Sequence, residues 1–389
     1  MIDWSLFEFR GIVPRLRGRS LPKTYATVAH DVDLTHGTLK PFREPLKVSD
    51  ASSGARIYSN GCHIFTFDKC VDLAKWIPDC PRLFLTGRVG YPETGTVDAQ
   101  GNVTYRRLGV PMPDSAIITS NHDVDTEESR SVSYVATYVN NFGEEGPPSL
   151  PSPDISIEDG EAVTLQFDFD PPMEYDIRKI RIYRRESGFV TGAEKETTPN
   201  TNWYLLTELP IDEFRFIDNK HIEELGFPLS TTNTREPPAN IRTIRAVQDT
   251  AILAASLGNK VLFSKNMQPH NWMLSNELTL DDNIVDMQAV GGSLFVATDG
   301  HPYVISADGA CDDMKCRGVA KYDVPMPMIN CHTGKGSVAT PMGMVYASTD
   351  GLVMLTEAGQ PSIITSDFLS ADDWRMLEPQ TTRLAYHKG

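Results

Sequence analysis

No run in the 389-residue sequence approaches the ~20 consecutive apolar residues of a membrane-spanning helix. The opening MIDWSLFEFR does not follow the basic-then-apolar plan of a secretory leader. The expectation is a chain that is soluble where it is made. Cysteine is sparse, with six at positions 62, 70, 80, 311, 316 and 331, and none forms a CxxC pair. Without a secretory context that spacing predicts reduced, mostly buried thiols and no disulfide framework. Cys311, Cys316, Cys331 and His332 can be drawn as a zinc set, but their spacing fits no common finger.

Catalytic signatures are equally scarce. There is no GxSxG elbow and no HExxH, and in HTGKGS (332–337) Gly336 separates the lysine from the serine, breaking the phosphate-loop pattern. Close carboxylates occur as Asp31/Asp33, Asp123/Asp125, Asp168/Asp170 and Asp312/Asp313. On a strand, i and i+2 share a face, so such pairs repel unless exposed or metal-bound, and exposure is expected; no spacing matches a calcium loop. Tyr134, Tyr138, Tyr183, Trp203, Trp272 and Trp374 read as core residues. The sequence therefore predicts no catalytic centre, no cofactor and no metal.

The amphipathic segments of 10–15 residues that an α/β protein places between strands are missing too. What is present is period-2 alternation: RIYSNGCHIFTF (56–67), AVTLQFDF (162–169), KIRIYRR (179–185), KVLFSK (260–265) and SLFVATD (293–299). Each is rich in β-branched or aromatic residues and bounded by Gly, Pro, Asn or Asp, and 28 glycines and 27 prolines break the chain at short intervals. The fold class predicted is mainly β.

One hairpin pattern repeats. SLFVATDGHPYVIS around Gly300 and MVYASTDGLVMLT around Gly351 share Thr-Asp-Gly, and AILAASLGNKVLFSK around Gly258 and RIYSNGCHIFTF around Gly61 carry Gly-Asn and Asn-Gly. These dipeptides supply the positive φ of tight hairpin turns. RLFLTGRVGYPETG (82–95) is a weaker candidate. A repeat of ~40–50 residues is the period of four-stranded propeller blades, with these hairpins as their inner strands; ordinary sandwiches using Asp-Gly turns are the competing account. Residues 128–222 break the rhythm with five strands, the size of a small β-sandwich. The expected organisation is an extended arm (1–50), propeller-like blades (51–127), a β-sandwich (128–222) and further blades (223–389).

Net charge is −16 with pI ≈ 5.0, which argues against tight binding to a phosphate backbone. Against that background Arg10, Arg15, Arg17, Arg19 and Lys23 stand together with no acid between them. A solvated arm is the plain reading; an arm that docks on an acidic partner is the sharper one.

Within the sandwich segment, YVATYVNNFGEEGPPS resembles the last-but-one strand and following loop of a fibronectin type III module. VTLQFDFDPP and IRIYRR resemble its second and third strands, so the order is rotated. The order GIVPRL…DVDLTHGTLKPF, YRRLGVPMP, TYVNNFGEEGPPS, IRKIRIYRRESG, NKVLFSKNMQPHNW, IVDMQAVGGSLFVATDGHPYVIS and VYASTDGLVML resembles the tail nozzle (tail tubular B type) proteins of short-tailed bacteriophages. That resemblance implies a structural, non-enzymatic virion protein made in the host cytoplasm, built around a propeller and accessory β-domains, that lines or closes the DNA ejection channel before infection and opens during ejection. It further implies a homo-oligomeric, hexameric ring at the distal tail that meets adaptor, tail-tube and fibre proteins. Genomic DNA would pass through it without specific binding. Such proteins usually continue beyond the last motif, so a second polypeptide completing the last blade is one expectation and a shortened version the other. A carbohydrate-binding or glycan-degrading tail component with a propeller is the alternative function.

Overall fold

The computed structural model describes residues 10–14, 19–30, 32–33, 40–41, 56–59, 63–76, 82–120, 130–158, 161–187, 202–247, 251–306, 318–330, 336–357 and 361–386. Strands hold 49% of these residues and helix 5%, so the chain is mainly β, as its alternation predicts.

The N-terminal segment contributes two short pairs. β1 (Gly11–Ile12) runs parallel to β2 (Tyr25–Ala26), and β3 (Val32–Asp33) antiparallel to β4 (Lys40–Pro41). A separate hairpin joins β5 (Arg56–Ser59) to β6 (Ile64–Phe67). Next comes a four-stranded antiparallel meander of β7 (Asp72–Lys75), β8 (Arg82–Thr86), β9 (Glu93–Val97) and β10 (Val103–Arg107).

The chain then leaves this pattern. β11 (Ile118–Ser120), β14 (Val163–Gln166) and β17 (Arg215–Asp218) form one sheet in the order β11-β14-β17. β12 (Arg130–Asn140), β13 (Ile155–Ile157), β15 (Ile177–Ser187) and β16 (Tyr204–Pro210) form a second, in the order β13-β12-β15-β16. The inner residues of both, among them Tyr134, Tyr138, Leu165, Ile180 and Ile182, share a single core. This two-sheet unit starts earlier than the boundary at 128 that the sequence suggests, because β11 pairs with β14 and Ile117 is buried in the shared core. A three-residue strand is too short to display alternation.

Three more four-stranded meanders follow. The second is β18 (Ile244–Val247), β19 (Ile252–Leu257), β20 (Lys260–Lys265) and β21 (Gln268–Thr279). The third is β22 (Ile284–Val290), β23 (Ser293–Thr298), β24 (Tyr303–Ser306) and β25 (Gly318–Lys321). The fourth is β26 (Ser337–Thr340), β27 (Gly343–Ser348), β28 (Gly351–Thr356) and β29 (Ser362–Ile363). A short helix, α1 (Ala371–Met376), opens on a Ser370–Asp373 capping box, and its Trp374 donates through Nε1 to the Ser348 carbonyl at 2.8 Å.

Each meander shares a core with the next. Phe65 and Phe67 of the hairpin pack on Leu73, Leu83 and Leu85 of the first meander, whose other face (Trp76, Phe84) meets Leu253, Ala255 and Leu262 of the second. Neighbouring residues on the second meander, Ile252, Ala254 and Phe263, turn instead toward Met287, Leu294 and Val296 of the third. Phe295 and Ala297, on the far side of β23, meet Met344, Tyr346 and Leu355 of the fourth. Internal sheets are therefore covered on both faces, which explains why ILAASL, SLFVAT and GMVYAS are apolar or small throughout instead of alternating. Removing a ring such as Phe295, 1% exposed, would cost about 3–5 kcal/mol.

The repeated hairpins occupy equivalent places in successive sheets, as the second and third strands β19–β20, β23–β24 and β27–β28. The weak candidate at 82–95 is their true counterpart, β8–β9, whose loop carries no Asn-Gly or Asp-Gly. The Asn-Gly segment instead forms the separate hairpin β5–β6, with Gly61 outside the described residues. The two Thr-Asp-Gly turns also differ. Gly351 has φ 151° and opens β28, whereas Gly300 lies outside the positive-φ region. Gly300 instead leaves room for Asp282: a Cβ there would collide with its carboxylate, which would have to move aside.

This difference is measurable. Gly351→Ala is expected to destabilise the protein by about 1–3 kcal/mol, through backbone strain and through collision of the new Cβ with Thr365 Oγ1 and Ile363 Cγ2. Gly300→Ala should be rescued in part by Asp282→Ala, which removes the obstructing carboxylate. Denaturant-unfolding double-mutant cycles should then give a coupling above about 0.5 kcal/mol for Gly300/Asp282 and none for Gly351/Asp282.

Candidate functional site

The four first strands lie side by side in the sequence β7, β18, β22, β26. Their heads converge on a buried ionic network. Arg245, on β18, is 5% exposed and sits inside TIRAV, a run otherwise suited to a core strand. Its Nη1 donates to Asp72 Oδ2 on β7 and to the Ile244 carbonyl, and its Nη2 to Asp286 Oδ1 on β22 at 2.7 Å. The Ile244 N–H also donates to Asp72 Oδ2, at 3.0 Å. Asp286 Oδ2 accepts from Ser337 Oγ at the head of β26, at 2.6 Å, and Gln288 Nε2 donates to that hydroxyl at 2.8 Å. One guanidinium thus joins three strands, and a serine extends the chain to the fourth. Burial works against the Arg245 charge, but Asp72 and Asp286 outweigh it and hold its pKa above the ordinary value.

Above this network opens a cavity of ≈ 320 Å³, with Arg56, Cys70, Asp72, Arg242, Asp286 and Asn330 in its lining. Arg56, on β5, approaches Asp72 Oδ1 at 3.9 Å. Arg242 precedes β18 and is exposed.

A second cluster joins the two-sheet unit to the meanders. In NNFGEEG, the loop after β12, Asn140 Oδ1 accepts from the Phe142 and Glu144 N–H groups at 2.9 and 3.0 Å, which fixes the turn. The adjacent glutamates then part ways. Glu145 stays within its own unit, accepting from Thr137 Oγ1 (2.6 Å), Tyr183 OH (2.7 Å) and Arg181 Nη1 (2.7 Å). Glu144 reaches out to Arg82 on β8, which binds it through both Nη atoms at 2.7 and 3.2 Å and stacks over Phe142 at 4.0 Å. His270 Nδ1 on β21 approaches the same carboxylate at 3.3 Å without hydrogen-bond alignment. Burial alone would raise the Glu144 pKa, but His270 and Arg82 more than offset it and bring it down to about 2. Arg107 and Tyr175 add a parallel joint by meeting at Glu236, with the Arg107 guanidinium 4.9 Å from the Tyr175 ring.

Of the basic arm, Arg10, Arg19 and Lys23 are exposed, and Arg15 and Arg17 lie outside the described residues. The backbone beside Arg10 is tied down by its own N–H, which donates to the Thr24 carbonyl at 2.8 Å. Asp168 and Asp170 are exposed, as expected of a like-charged pair; Asp31, Asp123, Asp125, Asp312 and Asp313 lie outside the described residues, as do Cys311, Cys316, Cys331 and His332. Among the described residues no cluster of three or more His, Cys, Asp or Glu is arranged to hold a metal. Trp272, Trp374, Tyr134, Tyr138 and Tyr183 are buried core residues, while Trp203 is half-buried under Arg185.

Sequence reasoning passed over Arg245, Asp286 and Glu144. The usable signal is a lone charge inside an uninterrupted apolar strand, as in TIRAV and IVDMQAV. No protein-family model matches the chain, and no curated protein matches it.

The Glu144 joint carries a pH signature. Its folded pKa lies below the unfolded value near 4.5, so its contribution is complete above that pH and is lost as pH falls toward 2. The size is at most about 3 kcal/mol at neutral pH. Urea unfolding should find Glu144→Gln less stable than wild type at pH 7, with the gap closing between pH 4.5 and 2.

Proposed function

We propose that the protein is a structural, non-enzymatic ring subunit of a phage tail nozzle. Its meanders are the blades of an incomplete β-propeller, and its two-sheet unit is a fibronectin-like module inserted between the first and second blades. The observation that carries this reading is the succession of four-stranded meanders whose first strands adjoin, each sheet sharing a core with the next. Radial stacking of four-stranded units is the propeller's way of burying both faces of every sheet. The pairing β11-β14-β17 over β13-β12-β15-β16 supports the rotated fibronectin-like reading, with β14 and β15 as its second and third strands and β12 as its last-but-one.

In this role the work is mechanical and electrostatic. A scaffold whose modules are joined by buried ion pairs keeps its shape under load, and a wall on a chain of net charge −16 offers passing DNA no ladder of phosphate contacts. A closed ring of six copies uses one head-to-tail interface repeated around the axis. The basic arm docks on the acidic neighbour through Arg15, Arg17 and Arg19, whose forked donors favour paired carboxylates. In the fourth meander the outermost strand among the described residues, β29, is two residues long, and a strand of another polypeptide would pair along its outer edge.

Mass photometry of the protein assembled with its tail partners should show a ring, of six copies by this reading. Changing Arg15, Arg17 and Arg19 together to Glu should abolish incorporation into tails while leaving the β-sheet circular dichroism unchanged. A stable monomer that releases sugar from a host glycan would overturn the proposal.

A further inference from the structure

The cavity at the head of the first strands holds more guanidinium than its own carboxylates can satisfy. The Arg56 side chain is 16% exposed, yet among the described residues it makes no hydrogen bond, and its approach to Asp72 Oδ1 is long at 3.9 Å. Asp72 is already committed, because its Oδ2 accepts from both Arg245 and the Ile244 N–H. Burial lowers the Arg56 pKa, the pull of Asp72 does not make up the loss, and Arg245 adds repulsion. Arg56 therefore presents a fork of five N–H donors to the cavity without a close protein acceptor among the described residues, a group well suited to an anionic partner. Arg242 presents a second exposed fork to the same cavity, with no side-chain hydrogen bond or ion pair among the described residues. Its position is nonetheless held: its N–H donates to the Ser256 carbonyl at 3.0 Å, and its own carbonyl accepts from Thr86 Oγ1 at 2.8 Å.

Local charge reinforces the point. Arg56, Arg242 and Arg245 stand against Asp72 and Asp286, a surplus of one positive charge in a chain of net −16. The volume, ≈ 320 Å³, is at the small end of ligand pockets, which span about 300–1,000 Å³. We infer that this cavity binds a small oxyanion, a phosphate or carboxylate group, held between the guanidinium groups of Arg56 and Arg242. Bidentate recognition of such groups is what the arginine fork does best. The inference goes beyond the tail reading and does not depend on it.

The test uses the full chain at constant ionic strength, with chloride as the background anion. Inorganic phosphate is titrated by calorimetry in one arm and acetate in the other, and alkylation of Cys70, an exposed thiol in the cavity lining, is followed by peptide mass spectrometry. Saturable binding that slows Cys70 alkylation is expected from at least one anion. Tighter phosphate binding assigns the site to phosphate groups, and tighter acetate binding to a carboxylate. Arg242→Gln, at an exposed position, should weaken binding at least about tenfold without moving the thermal midpoint measured in chloride. Arg56→Lys should weaken it less, keeping the charge but losing the fork. Failure of both anions to bind saturably, or equal affinity in wild type and Arg242→Gln, would overturn the inference.

Discussion

Arg245 is a buried cation that three strands have to share. Its guanidinium faces Asp72 on one side and Asp286 on the other, and gives each carboxylate a paired, hydrogen-bonded partner away from water. Such a network adds little net stability over an apolar core of the same volume, because desolvation consumes most of the attraction. Its value lies in specification. Apolar contacts between sheets are non-directional, whereas an arginine fork between two carboxylates fixes both distance and orientation. The ionic head therefore fixes how the first strands line up, and the shared cores behind it fill in around that alignment.

The same logic applies where the two-sheet unit meets the meanders. That unit departs from the chain after the first meander and returns to start the second, so its orientation must be set by contacts and not by a single linker. Glu144 supplies them by reaching Arg82 of the first meander and His270 of the second. The adjacent Glu145 does the opposite and ties Thr137, Tyr183 and Arg181 of its own unit. Two consecutive identical residues thus separate internal cohesion from external docking, and the turn organised by Asn140 makes that division possible.

Much of this was legible in the sequence, for definite reasons. Alternation and turn dipeptides mark the strands, and the break in rhythm after the first meander marks the two-sheet unit. Turn chemistry misled where it stood in for position: Thr-Asp-Gly recurs, yet Gly351 uses its backbone freedom while Gly300 makes room for Asp282. The Asn-Gly signal pointed to a peripheral hairpin, and the real counterpart at β8–β9 has an unremarkable loop. The ionic head was hidden because pairing between residues 72, 245 and 286 is a property of the assembled fold. Only the oddity of a charge in an apolar strand betrays it. The cavity arginines 56 and 242 were still less visible, since no spacing or pattern in the sequence marks either as a ligand-binding residue.

If the ionic head aligns the strands, its loss must be felt well away from Arg245. Hydrogen–deuterium exchange on wild type and Arg245→Met tests this most directly. The account predicts that peptides covering β7, β18, β22 and β26 lose protection together, including β26, which the network reaches through Asp286 and Ser337. Peptides from β12 and β15, in the two-sheet unit, should keep theirs. Loss confined to the peptide that contains residue 245, with β7, β22 and β26 unchanged, would contradict it.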